Sequence, residues 1–298
     1  MGTTTFSGPV RSVKGFKQVE KNTTTGVVTD YGRMDSTKRW DRFYLEEYFK
    51  QKPALNAALD SGGTTTTAAE LTTFAIANKD FETLGTNYTT ALTTFASTSA
   101  GILMTTATAD EDQAILLPHL DTNQTAWSGT KWGTENQVEW ECSLQISQTD
   151  NEKVWCGLKL TNDQLIATDA NQAFFKFATD DDNGESLDST TKWHFVHSIA
   201  DTDYISVLPV TVAANTPYHF RIKFDSDRKM EMFLNGIQYD ITTTSGSTGG
   251  TEVAAGTAKS AAMTDAINLI PYIGIENGDA AAAVLNVHYT AISRHAYQ

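Results

Sequence analysis

The chain has 298 residues, with 22 Lys+Arg against 36 Asp+Glu and a formal net charge of -14. That balance excludes a sequence-independent grip on nucleic acid, which needs clustered cations to neutralise phosphates. No segment reaches the roughly 20 apolar residues that a bilayer-spanning helix needs. Threonine is abundant and charged residues make up only 19% of the chain, a composition that favours strands over helices.

The start, Met1-Gly2-Thr3-Thr4-Thr5-Phe6, has no basic n-region and no apolar h-region, so synthesis and assembly in a cytoplasm are expected. Residues 1–34 read as an extended docking arm, with a loose tail as the alternative. Phe6, Pro9, Val10 and Phe16 stand among Gly, Thr and Lys, too sparse to form a core and well suited to lying on another surface. Residues 35–52 read as a helix: Asp35 or Ser36 supplies a cap, Pro53 sets the limit, and Trp40, Phe43, Tyr44 and Tyr48 recur at helical spacing. Two roles are open for that aromatic face, packing on the chain's own body or contact with another subunit. Asp60-Ser61-Gly62-Gly63 and the threonines that follow close a helix-and-linker segment, 35–67.

From residue 68 to 298 the period changes to two. Val138, Trp140, Cys142, Leu144 and Ile146 alternate with Gln137, Glu139, Glu141, Ser143 and Gln145, which predicts a strand with one buried and one wet face. Residues 153–160 repeat the pattern, and Tyr218, Phe220, Ile222 and Phe224 alternate with His219, Arg221 and Lys223. Asn235-Gly236 is the favoured pair for a type I′ turn and predicts a hairpin over 229–241. Leu285, Val287 and Tyr289 read as one face of a late strand, with Asn286 and His288 on the other. Further strands are expected near 81–84, 91–96, 101–106, 113–117, 172–178, 193–199, 205–212 and 269–275. The loop Ser245–Ala262, rich in Gly, Ala, Ser and Thr, is expected to be mobile. The fold class is therefore mainly β, an antiparallel jelly-roll or concanavalin-like sandwich behind an extended arm and one short helix.

Candidate sites are few. Glu139 and Glu141 share a strand face, as catalytic acids of sandwich glycosidases do, but Gln137 fills the place where a third acid would stand, so a solvated face is the expectation. Asp180-Asp181-Asp182-Asn183-Gly184-Glu185 reads as an acidic turn without the spacing of a calcium loop. The six histidines, His119, His194, His197, His219, His288 and His295, show no metal-ligand spacing, and His194 and His197 fall on opposite faces of one strand. Trp155 and Phe174 are expected to point outward. Cys142 and Cys156 are too few for a zinc site, leaving a buried reduced pair or a cross-strand disulfide. No catalytic residue, cofactor or metal is assigned.

The stretch Tyr218-His219-Phe220-Arg221-Ile222 through Phe233-Leu234-Asn235-Gly236, with Leu269-Ile270-Pro271-Tyr272-Ile273-Gly274-Ile275, resembles concanavalin-like (laminin-G-like) sandwiches. Ala114-Ile115-Leu116-Leu117-Pro118-His119, Gly157-Leu158-Lys159-Leu160-Thr161-Asn162 and the opening Thr5-Phe6-Ser7-Gly8-Pro9-Val10 resemble structural proteins of marine tailed phages. The resemblance implies a non-enzymatic virion protein, a capsid decoration or head-fibre component on the capsid surface. Its partners would be the major capsid protein or other virion proteins, as a homo-oligomer, a trimer by expectation, with neither nucleic acid nor membrane bound. Phe6, Pro9, Val10, Phe16, Trp40, Phe43, Tyr44 and Tyr48 would carry the docking. Two other functions fit the same fold: an adhesin that binds a host glycan, and a polysaccharide-cleaving enzyme.

Overall fold

Where apolar and polar residues alternate, the chain pleats into strands, and the strands pair into two stacked sheets. The computed structural model describes residues 20–21, 28–29, 41–50, 55–56, 81–88, 90–96, 100–118, 131–161, 163–179 and 186–296. In chain order the strands begin with β1 (Glu20–Lys21), β2 (Val28–Thr29), β3 (Arg42–Glu47), β4 (Leu55–Asn56), β5 (Phe81–Leu84) and β6 (Thr93–Phe95). β7 (Ile102–Thr105), β8 (Gln113–Leu117), β9 (Glu139–Ile146), β10 (Glu152–Lys159), β11 (Gln172–Ala178) and β12 (Lys192–Ile199) follow. β13 (Thr202–Thr211), β14 (Pro217–Phe224), β15 (Met230–Leu234), β16 (Ile237–Tyr239), β17 (Thr251–Glu252), β18 (Ile270–Asn277) and β19 (Val284–His295) complete them.

The first sheet runs β1-β2-β16-β15-β14-β9-β19-β7-β6, with β3 also paired to the long β19; the second runs β17-β13-β12-β11-β10-β18-β8-β5-β4. Pairing is antiparallel except for β13 with β17 and β4 with β5. Between the sheets lie Trp140, Leu144 and Ile292 from one side and Val154, Leu158 and Ile273 from the other, all buried. Phe220 of β14 meets Phe175 of β11 and Trp193 of β12, each with ring centroids 4.8 Å apart, so aromatic contacts tie one layer to the other. Each such side chain stabilises the sandwich by about 1.5–3 kcal/mol through burial. Cys142 of β9 and Cys156 of β10 also point into this layer, one from each sheet; both are buried free thiols, which decides for the reduced pair. The predicted hairpin is present, with Asn235 at φ 51° and Gly236 at φ 75°, the left-handed pair that its turn demands.

Three expectations are corrected. Residues 42–47 are not helical but form β3, in register with β19 from Glu47 opposite Thr290 to Arg42 opposite His295. The aromatic spacing of Phe43, Tyr44 and Tyr48 fits a helix, yet aromatic residues also favour strands, and the open edge of β19 supplies backbone partners. The loop Ser245–Ala262 is pinned: it contains β17, and the amides of Asp240 and Ile241 donate to the carbonyls of Ala254 and Ala258. Trp155 and Phe174 do face outward from the second sheet, but both are fully buried there; Lys159 Nζ lies 4.2 Å from the Phe174 ring centre. That face also holds a buried ion pair, Lys153 Nζ to Glu276 Oε1 at 2.8 Å, to which Gln164 adds hydrogen bonds.

Of the expected arm, Glu20–Lys21 and Val28–Thr29 extend the first sheet beyond β16. Phe6, Pro9, Val10, Phe16 and Trp40, like His119, the linker 60–67 and the acidic turn 180–185, lie outside the described residues.

Candidate functional site

Strand alternation sends Trp140, Cys142 and Leu144 of β9 into the core and turns Glu139, Glu141 and Ser143 to the outer face of the first sheet. Register fixes their neighbours. Glu139 stands between Lys223 and Ser293, Glu141 between Arg221 and Ala291, and Ser143 between His219 and Tyr289. The expected solvated face is therefore corrected. Glu139 is 0% and Glu141 2% exposed, and the Arg221 guanidinium, 3% exposed, lies between them. Arg221 Nε donates to Glu139 Oε1 at 2.5 Å and lies 3.5 Å from Glu141 Oε1, while its guanidinium packs 4.9 Å above the Phe233 ring. Gln137, with φ 49°, sits in a left-handed turn before β9 begins, so it does not extend the row of acids.

Tyr289 reaches this face because β19 is bulged. Leu285 and Val287 point inward, but a register shift between Val287 and Tyr289 brings Ile292 inward afterwards and turns Tyr289 out. The Tyr289 hydroxyl donates to Glu141 Oε2 at 3.1 Å, and His219 Nε2 lies 2.6 Å from the same hydroxyl. Tyr48 stacks on the Tyr289 ring at 5.6 Å, and His219 stacks on it at 5.9 Å. The His219 side chain is 27% exposed and Tyr289 is half-buried, so this pair, unlike the two carboxylates, is open to a ligand. A phenol and an imidazole in direct contact, with a buried carboxylate behind them, form a unit that can take and give a proton.

Further along the same face is a cavity of about 360 Å³, lined among others by Arg42, Glu139, Lys223, Asp225, Glu231 and His295. Arg42 bonds only neutral groups among the described residues, the Gln137 carbonyl at 2.9 Å and Ser293 Oγ at 2.7 Å. Of the expected docking residues, Tyr44 lies opposite Ser293 beside the cavity and Tyr48 covers Tyr289, while Phe43 turns the other way, its ring 6.0 Å from Trp132. His194 and His197 are buried on opposite faces of β12, as expected, and His197 stacks on Tyr204 at 4.6 Å. Among the described residues no three His, Cys, Asp or Glu side chains gather as a metal site.

No family model matches the chain, and no curated protein does. Solved structures do. A family 7 alginate lyase in complex with product is 13% identical, with a TM-score of 0.40 over 70% of this chain and 85% of that one. A β-glucanase of Bacillus licheniformis is 8% identical, TM-score 0.40, over 68% and 83%. A protein of unknown function from Shewanella oneidensis is 9% identical, TM-score 0.43, over 90% and 97%. The chain's own strand pairing defines a two-sheet jelly-roll sandwich, and identities this low transfer no activity. The expectation of a non-enzymatic virion decoration or head-fibre protein is corrected at the site itself: the strand face expected to be solvated is a buried charge cluster of Glu139, Glu141 and Arg221 beside the accessible His219–Tyr289 contact.

Proposed function

We propose that this chain is a polysaccharide-cleaving enzyme whose acid–base pair is Tyr289 and His219. The observation that carries the reading is the 2.6 Å contact between Tyr289 Oη and His219 Nε2 on an open sheet face, backed by Glu141. The two-carboxylate route of glycosidases fits less well. It needs two acids that reach the scissile bond from either side, whereas Glu139 is closed off and both carboxylates are held by Arg221. Tyr44 and Tyr48 add half-buried rings along the same face, a surface on which sugar rings can stack.

The test is depolymerisation. Alginate and a laminarin-type β-glucan are incubated with the protein, and chain length is followed by size exclusion. Cleavage that disappears in Tyr289→Phe and His219→Gln, both still folded by circular dichroism, is the expected result. Undiminished cleavage by Tyr289→Phe would remove the pair from the reaction.

A further inference from the structure

We infer that one end of the second sheet carries a calcium site, built from the Glu152 carboxylate and the Asn277 side-chain oxygen with Asp150 at its rim. It belongs to the other sheet from the Tyr289–His219 pair and does not rest on the proposed activity.

The placement follows from strand parity. Val154 and Cys156 of β10 and Ile273 and Ile275 of β18 point into the core, so Glu152 and Asn277, each two residues further out, also point inward, where the apolar layer ends. The two stand opposite each other in register. The Gly278 amide donates to the Asn151 carbonyl at 2.7 Å, so the next pair, Glu152 with Asn277, is of the non-hydrogen-bonded kind, with Cα atoms about 4.5 Å apart and side chains at their closest. Both residues are 0% exposed.

The pair brings acceptors together. The Asn277 amide nitrogen donates to the carbonyls of Ala107, Asp279 and Ala281 at 3.3, 3.0 and 2.9 Å, and these three carbonyls fix which end of the amide is oxygen. Among the described residues, neither that Oδ1 nor either carboxylate oxygen of Glu152 has a hydrogen-bond partner. Asp112, next in the same row beyond Asn277, shows the settled alternative: Asn87 Nδ2 and the Ala109 amide donate to its two oxygens, both at 2.6 Å. Burial, with the charge of exposed Asp150 added, raises Glu152 to about 8, as expected of a carboxyl that its surroundings do not offset. Three acceptor oxygens gathered out of water call for a cation among them.

The donor set selects the ion. Two carboxylates and an amide oxygen suit Ca²⁺, which takes roughly six to eight oxygens in irregular geometry and completes its shell with carbonyls and water. Mg²⁺ asks for a regular octahedron, and zinc or copper for nitrogen and sulfur. A cavity of about 510 Å³, lined among others by Asp150, Asn151, Phe177 and Thr179, gives the ion a way in, since Thr179 is bonded to the backbone of Glu152. Bound there, the ion joins the turn 147–151 to the loop 278–283, whose Asp279 and Ala281 already hold Asn277, and pins the ends of β10 and β18 together.

The experiment titrates calcium chloride calorimetrically into the full chain after EDTA treatment and dialysis, and follows melting and amide hydrogen exchange with and without Ca²⁺. Binding of Ca²⁺, a melting temperature higher by about 5 °C at saturation, and slower exchange at 147–151 and 278–283 are the expected results. Glu152→Gln keeps the side chain's shape and should abolish these effects, and Asp150→Asn, at an exposed position, should weaken binding about tenfold. No binding of Ca²⁺, or binding that neither variant changes because other carboxylates hold the ion, overturns the site. An equal response to Mg²⁺ overturns the choice of calcium. Should Glu152→Gln fail to fold, Asp150→Asn and the exchange pattern decide: full affinity in that variant with protection confined to other loops overturns the site.

Discussion

Tyr289 and His219 come from strands on opposite sides of β9, 70 residues apart in the chain, and meet at 2.6 Å over Ser143. The meeting depends on the bulge in β19, since without the register shift Tyr289 would keep the inward parity of Leu285 and Val287. Tyr289→Phe removes one hydroxyl and leaves the ring stacked on Tyr48 and His219, so the fold should survive. Turnover of the polymer should fall by about 10²–10⁴-fold, the range for loss of a general acid or base, with KM little changed. Steady-state kinetics on the wild type and the variant check this.

The bulge also shows where sequence reading stops. The two-sheet body was legible: the alternation of β9, β10 and β14 and the Asn235-Gly236 turn place strands within a residue or two of where they occur. The site was not. Tyr289 reads as inward because it continues Leu285 and Val287, and only Ile292, inward on the opposite parity, betrays that the strand must shift phase between them. Glu139, Glu141 and Arg221 read as solvated because period two marks a second face without saying what covers it. Arg42 was lost inside a helix pattern, since Trp40, Phe43, Tyr44 and Tyr48 satisfy helical spacing while the vacancy beside β19 that draws 42–47 into the sheet is visible only in three dimensions.

Glu139 should matter to stability more than to chemistry. It has no solvent exposure and carries the Arg221 guanidinium, so Glu139→Gln removes the negative charge from beside a buried cation. Removing one member of a buried ion pair costs about 3 kcal/mol. Urea unfolding should show that loss as a lower midpoint at unchanged slope, and the unfolding of Glu139→Gln/Arg221→Met should recover part of it. A double variant no more stable than the single one would show that the ion pair is not what Glu139 supports.

Cys142 and Cys156 project from different sheets into the core, and burial raises both thiols well above the usual range, with Cys142 adding to the effect on Cys156. A thiol that neither ionises nor meets solvent does not react as a nucleophile. In native protein at neutral pH, alkylation by iodoacetamide should be negligible over hours, and in unfolding concentrations of urea both residues should be labelled within minutes. Mass spectrometry of samples along a urea series should place the onset of labelling at the global unfolding midpoint. Labelling of Cys156 alone well below that midpoint would mean that the sheets part locally.

Stability should fall on both sides of a mildly acidic pH, for opposite reasons. Burial, with Lys176 adding to it, lowers His194 from 6.5 to about 4, and burial alone lowers His197 to about 3. In that case the unfolded chain takes up protons that the folded one refuses, so stability present above pH 6.5 drains away as the pH falls from about 6.5 towards 3. Glu152 runs the other way: burial, helped by the charge of Asp150, raises it from 4.5 to about 8. The folded chain then holds a proton that the unfolded one releases, and stability present below pH 4.5 is lost as the pH rises towards 8. Melting temperature measured from pH 3 to 9 should therefore peak between those limits. Glu152→Gln, which keeps the shape and removes the titration, should flatten the alkaline limb and leave the acid limb steep, whereas His197→Gln should relax the acid limb alone. An alkaline limb unchanged in Glu152→Gln would show that this carboxyl is ionised in the folded chain at neutral pH.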